Sequence, residues 1–160
     1  MNILLWVGPW NFTKYELQRG VSLMNYKMVE ELSERHLNEL HNLFKNEWWT
    51  QHRELSEIKK MVENSSVVIG LVNSETEELI GFARVITDTI YRAFIFDVMT
   101  KENFRNNGIG KILIESILEH PLVQNVDRVE LYCPDRLVGY YEKFGFSTDV
   151  NGSNLMRLTK

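Results

Sequence analysis

Apolar residues recur at helical spacing after Ser33: Leu37, Leu40, Leu43 and Phe44 share one face, and Ser33 and Glu34 suit the positive end of that helix. The pattern runs into Trp48-Trp49. Leu55, Ile58, Met61 and Val62 predict a second, shorter helix, which Asn64-Ser65-Ser66 stops. Three runs rich in Val, Ile and Phe then follow, Val67 to Val72, Leu79 to Thr87 and Ala93 to Thr100, and the short polar turns between them predict an antiparallel meander. Beyond the polar loop Lys101 to Asn107, a helix starts at Gly108 with Ile109, Leu113, Ile117 and Leu118 on its buried side, and His120-Pro121 ends it. A strand over Arg128 to Tyr132, a helix over Asp135 to Phe144 closing at Gly145, and a strand over Leu155 to Leu158 complete the pattern. With a first strand over Met24 to Val29, the order β-α-α-β-β-β-α-β-α-β predicts an α+β domain. Its sheet is mixed, because a strand-helix-strand unit around Gly108 requires a parallel crossover.

Residues 1–23 follow neither period, and the domain pattern occupies 24–160. Two readings of the extension stand side by side. In one, translation starts at Met24 and Arg19-Gly20-Val21 is read-through of a purine-rich leader resembling a bacterial ribosome-binding site. In the other, the extension is an arm that packs Trp6 and Trp10 on the domain or on a partner subunit, which is compatible with a homodimer. The whole chain of 160 residues carries 18 Lys+Arg against 22 Asp+Glu, a net charge of -4. That balance, with no basic cluster, argues against a nucleic-acid partner. Apolar stretches such as Ile3 to Val7 fall far short of the ~20 residues a spanning helix needs, so no membrane partner is expected. The single cysteine, Cys133, and the absence of a signal-peptide pattern point to a reducing cytoplasm. The four histidines show no i, i+4 ligand pair and no cysteine partner, so no metal site is expected.

The chemically informative stretch is Arg105-Asn106-Asn107-Gly108-Ile109-Gly110-Lys111, between an apolar strand and an apolar helix. Unpaired amides at a helix start attract an anion, and glycines let a phosphate approach the main chain. A P-loop is excluded: Arg105 stands where its first glycine would be, and Ile112 where its Ser or Thr would be. A dinucleotide fingerprint is excluded by Leu113 at the third glycine position. Taken alone, Gly-x-Gly serves equally as a tight strand-to-helix turn.

Three segments in order resemble the GNAT superfamily of acyl-coenzyme A-dependent N-acyltransferases. The family signature Arg/Gln-x-x-Gly-x-Gly/Ala stands here as Arg105 to Gly110. The preceding strand Phe94 to Thr100 and the later Tyr141-Glu142-Lys143-Phe144-Gly145-Phe146, similar to the family's Tyr-x-x-x-Gly-Phe, complete the resemblance, which spans residues 25 to 158. Lys101-Glu102 replaces a proline that many relatives carry.

The resemblance implies acetyl-CoA as cosubstrate, with its pyrophosphate on the amides of Arg105, Asn106, Asn107, Gly108, Ile109, Gly110 and Lys111. It implies that the strand splays from the following one and that the main chain of Val98, Met99 and Thr100 pairs with the pantetheine arm. Catalysis would be direct attack by a small-molecule or peptide amine, without an acyl-enzyme on Cys133. Tyr141 matches the position that donates to the departing thiolate; Tyr140 and Tyr141 lie about 100° apart on a helix, so one can pack while the other acts. Asp97 is the best-placed carboxylate for a base, against a favoured rival reading as a cross-strand ion pair with Arg84. Trp49, Arg53, Arg84 and Tyr91 form the acceptor shortlist, with Trp48, His52 and Asp88 nearby; Arg53 suits a substrate carboxylate. Two other classes remain open, a non-catalytic acyl-CoA-binding regulatory module and a nucleotide phosphate binder, and ligand preference separates them.

Overall fold

The computed structural model describes residues 25–159, so the expectations for residues 1–23 and for a start at Met24 lie outside the described residues. The elements are β1 (Tyr26–Val29), α1 (Glu34–Asn46), α2 (Leu55–Glu63), β2 (Val67–Asn73), β3 (Leu79–Thr87), β4 (Arg92–Thr100), α3 (Ile109–Leu118), β5 (Arg128–Leu131) and α4 (Val138–Tyr141). Ser33 caps α1 as expected, its Oγ accepting from the His36 amide at 3.2 Å. The start of α2 is closed by a carboxylate instead: the Glu54 amide donates to Glu57 Oε2 at 3.0 Å.

The five strands form one sheet in the order β1-β2-β3-β4-β5. The first four pair antiparallel, and β4 pairs parallel with β5 across the α3 connection. One face packs on α3, where Ile109, Leu113, Ile114 and Ile117 meet Ile69, Leu71, Ile80, Val85 and Ile95. The other face packs on α1 and α2, where Leu40, Phe44 and Ile58 meet Val68, Val72, Phe82 and Met99. Strands β2 and β3 are thus buried on both faces, which is why they read as unbroken apolar runs rather than alternating ones. No helix of the described residues is long and apolar enough to cross a membrane.

Two expectations are corrected. Residues Leu155 to Leu158 form no strand, and Leu155, Met156 and Leu158 are exposed. The turn before them is made: Asn151 and Gly152 have φ of 55° and 75°, and the Ser153 amide bonds the Val150 carbonyl at 3.2 Å. The segment after that turn has strand composition, but a strand exists only through its ladder, and none forms there. The helix expected over Asp135 to Phe144 is a succession of short turns, with 3₁₀ segments Asp135–Leu137 and Glu142–Phe144 flanking α4. Gly139 in its centre weakens an α-helix by about 1 kcal/mol relative to alanine, and the ends close with tight i→i+3 bonds. Gly145 ends the stretch in the left-handed conformation, at φ 90°.

Candidate active site

The site is built around a break in β4. Phe82 pairs with Met99 but Arg84 pairs with Phe96, so two steps along β3 match three along β4. The extra residue is accommodated at Asp97, whose φ of 54° is left-handed, a bulge conformation few non-glycine residues adopt. The ladder to β5 runs only from Arg92↔Arg128 to Ile95↔Leu131. Past Ile95 the two parallel strands therefore part, and the β5-facing main-chain edge of Phe96 to Thr100 is left without a strand.

The bulge is clamped from two directions. Asp97 Oδ2 accepts from Arg84 Nε at 2.6 Å, and Oδ1 accepts from Arg53 Nη1 at 3.1 Å, with the carboxylate side chain only 3% exposed. Each guanidinium also lies over an aromatic face, Arg53 on Phe44 at 4.5 Å and Arg84 on Phe96 at 4.6 Å. The cross-strand pair weighed for Asp97 in the sequence is thus present, joined by a second arginine from the α1–α2 connection.

After β4 the chain makes a 3₁₀ turn, Glu102–Phe104, and enters α3 through Asn106 at φ 65° and Gly108 at φ 78°. Gly108 is the N-cap of α3, and the first i→i−4 bond is Ile112 N to Gly108 O at 3.0 Å. The amides of Ile109, Gly110 and Lys111 precede that bond and are aimed out of the helix start. A Cβ at Gly110 would lie 2.9 Å from the Tyr140 hydroxyl and 4.0 Å from Thr100 Oγ1, so a side chain there would crowd Tyr140 at the mouth of this cradle. Unpaired amides of this kind can receive an anion such as a phosphate, and an unpaired strand edge can bond to an amide-bearing chain. A cleft adjoins the cradle, lined by Leu43, Asn46, Glu47, Met99, Thr100, Glu102 and Arg105. Arg105 does not float in it: Nη2 bonds Glu47 Oε1 at 2.8 Å, tying the loop to the end of α1.

Of the two tyrosines, Tyr141 is buried, 7% exposed, with its ring edge-on to Phe146 at 5.9 Å and to Tyr140 at 5.2 Å. Burial, reinforced by Tyr140 and Cys133, pushes its phenol up to about 12. The half-buried Tyr140 is the one whose hydroxyl reaches the glycine loop. Burial and then Asp135 raise the Cys133 thiol above its usual value, which disfavours a thiolate there.

The acceptor shortlist divides. Arg53 and Arg84 meet at Asp97. Trp49 is 40% exposed in the same connection as Arg53. Tyr91 is exposed beside the first residue of β4, six residues before Asp97 and so roughly 20 Å along the strand from the bulge. Sequence reasoning missed the Glu47–Arg105 tie, the second arginine on Asp97 and the reach of Tyr140 to Gly110. Only the last left a signal, the angular separation of the adjacent tyrosines.

Residues 30–146 match the Acetyltransferase (GNAT) family. The uncharacterized N-acetyltransferase ycf52 of Pyropia yezoensis is 29% identical over 147 residues, 89% of this chain and 84% of that protein. The GCN5-related N-acetyltransferase 1, chloroplastic, of Arabidopsis thaliana is 27% identical over 100 residues, 62% of this chain and 51% of that protein. Among solved structures, a GNAT-family protein of Xanthomonas campestris pv. campestris superposes with a TM-score of 0.74 at 23% identity, covering 84% of this chain and 93% of that one.

Proposed function

The chain belongs to the GNAT family and is an acetyltransferase, and from that premise we propose that it moves an acetyl group from acetyl-CoA to a primary amine by direct attack. The observation that carries this is the pairing of an open glycine cradle at the start of α3 with a strand edge freed beyond Ile95. Acetyl-CoA would supply the activated thioester. The amides of Arg105 to Lys111 would hold its pyrophosphate, and the main chain of Val98, Met99 and Thr100 would orient its pantetheine arm. Thr100 borders both the cradle and the cleft, which supports placing the two parts of one ligand across them.

Tyr141 is the proposed donor to the departing thiolate. With its phenol near 12, full proton transfer to an ordinary thiolate of ~8.5 would be uphill by about 5 kcal/mol. Its role is therefore a hydrogen bond from a neutral hydroxyl to developing negative charge. Both oxygens of Asp97 accept from arginines, which supports its clamping role over that of a base; deprotonation of the amine falls to solvent. Trp49, Arg53 and Arg84 would border the acceptor. The cytoplasm is the proposed compartment, consistent with the lone Cys133.

The test is Tyr141→Phe beside Tyr140→Phe, followed by thiol release and by acetyl-CoA affinity. Tyr141→Phe is expected to lower kcat roughly 100–1000-fold with little change in affinity, the range of one lost donor to developing negative charge. Such a loss in Tyr140→Phe alone would transfer the role to Tyr140. Acetyl-CoA binding without acetyl transfer to any amine would support the regulatory module instead.

A further inference from the structure

We propose that the acceptor carries an anionic group, a carboxylate or a phosphate monoester, and that Arg53 is the residue that reads it. The proposal rests on the acetyl-transfer reading above and adds the chemical class of the acceptor. Its basis is a charge imbalance at the bulge. Two guanidiniums share one carboxylate there, and among the described residues neither Arg53 nor Arg84 has a second acidic partner within ion-pair distance. One positive charge is left over at a place largely removed from water, where an incoming anion is attracted more strongly than at an open surface.

The two arginines are not equivalent. Both clamp Asp97, but Arg84 is only 10% exposed whereas Arg53 is 26% exposed and reaches solvent. Arg53 is also held in place before any ligand arrives. Its amide bonds the Thr50 carbonyl at 3.0 Å, and fully buried Thr50 anchors the segment through Oγ1 to the Phe44 carbonyl at 2.8 Å. The Phe44 ring fixes the plane of the guanidinium, and Asp97 engages only Nη1, so further N–H donors of the fork remain for a planar or tetrahedral anion. A rigid, stacked guanidinium loses little freedom on binding. Its position follows from Asp97: the bulge lies just where β4 leaves β5, immediately before the edge proposed to carry the thioester. An acceptor whose anionic group docks on Arg53 presents its amine from that side, and an acceptor with a second cation is repelled.

The experiment is isothermal titration of matched pairs into the full chain, with and without saturating CoA: L-phenylalanine against L-phenylalaninamide, and glucosamine 6-phosphate against glucosamine. At least one anionic member is expected to bind tenfold or more tightly than its neutralised or dephosphorylated partner, and the pair with the larger ratio identifies carboxylate or phosphate as the group recognised. Arg53→Ala should collapse that ratio to within twofold, and Arg53→Lys should keep part of it. Ratios within twofold in the unaltered chain, no binding of any member, or a ratio that survives Arg53→Ala overturns the proposal. Failure of CoA itself to bind overturns the acetyl-transfer reading instead, and the titrations without CoA still report on Arg53.

Discussion

Single residues show where sequence reasoning works and where it stops. The Arg84–Asp97 pair was legible because two strands joined by a short turn have a register, and register brings particular side chains together. Arg53 completes the clamp from a connection between helices, whose placement depends on how α1 and α2 pack, so no spacing announced it. The left-handed backbone of Asp97 was equally invisible, since nothing in Phe96-Asp97-Val98 marks a bulge. His120 carries a prediction at this scale. It sits just past α3 with Nε2 3.6 Å from Glu30 Oε1, and burial lowers its pKa despite the opposing pull of Glu30. The unfolded chain therefore binds a proton near pH 6.5 that the folded chain resists, so stability is present above that pH and is lost as pH falls below it. Urea midpoints between pH 7.5 and 5 should fall, and His120→Gln should flatten that fall; an unchanged slope would remove His120 as its source.

Elements were the most legible scale. The helical spacing of Leu37, Leu40, Leu43 and Phe44 and the doubly apolar runs of β2 and β3 each follow from the burial they achieve. The expected strand over Leu155 to Leu158 failed because composition records the tendency of a segment and not the presence of a partner edge. The stretch around α4 failed because Gly139 and tight turns replace a continuous helix, a balance too fine for periodicity to decide. The contact of α3 with the sheet offers a direct test. Gly81 pairs with Thr100 across β3 and β4, and a Cβ there would lie 2.6 Å from Ile109 Cγ2 and 3.3 Å from Leu113 Cδ1. Gly81→Ala should destabilise the fold by about 1–3 kcal/mol through overpacking. In an Ile109→Ala background, which lacks the offending Cγ2 methyl, the same Gly81→Ala change should cost less than it does in the unaltered chain. Denaturant midpoints that are unaffected by Gly81→Ala would show that α3 can shift freely, contrary to a helix start held firmly against β3.

At the scale of the whole molecule, the proposed function depends on a sheet that is continuous at one end and open at the other. Four antiparallel strands and two faces of packing hold β3 and β4 in place, and the parallel strand β5 follows β4 only as far as Ile95. The glycine loop proposed to hold the cofactor was legible as a strand-to-helix turn because its glycines and its neighbouring strand lie together in sequence. The arginine clamp proposed to border the acceptor was legible only in part, because it is assembled from the α1–α2 connection, β3 and β4. The central claim is that the opening and the glycine cradle together hold acetyl-CoA, and thermal unfolding of the full chain with acetyl-CoA, CoA and ATP in turn tests it most directly. A ligand at 100 times its Kd that binds only the folded chain contributes about 2.7 kcal/mol, which raises Tm by roughly 5–10 °C for a domain of this size. The account predicts such a rise with acetyl-CoA and CoA and a smaller one with ATP; no rise with either coenzyme form, or a larger one with ATP, would contradict it.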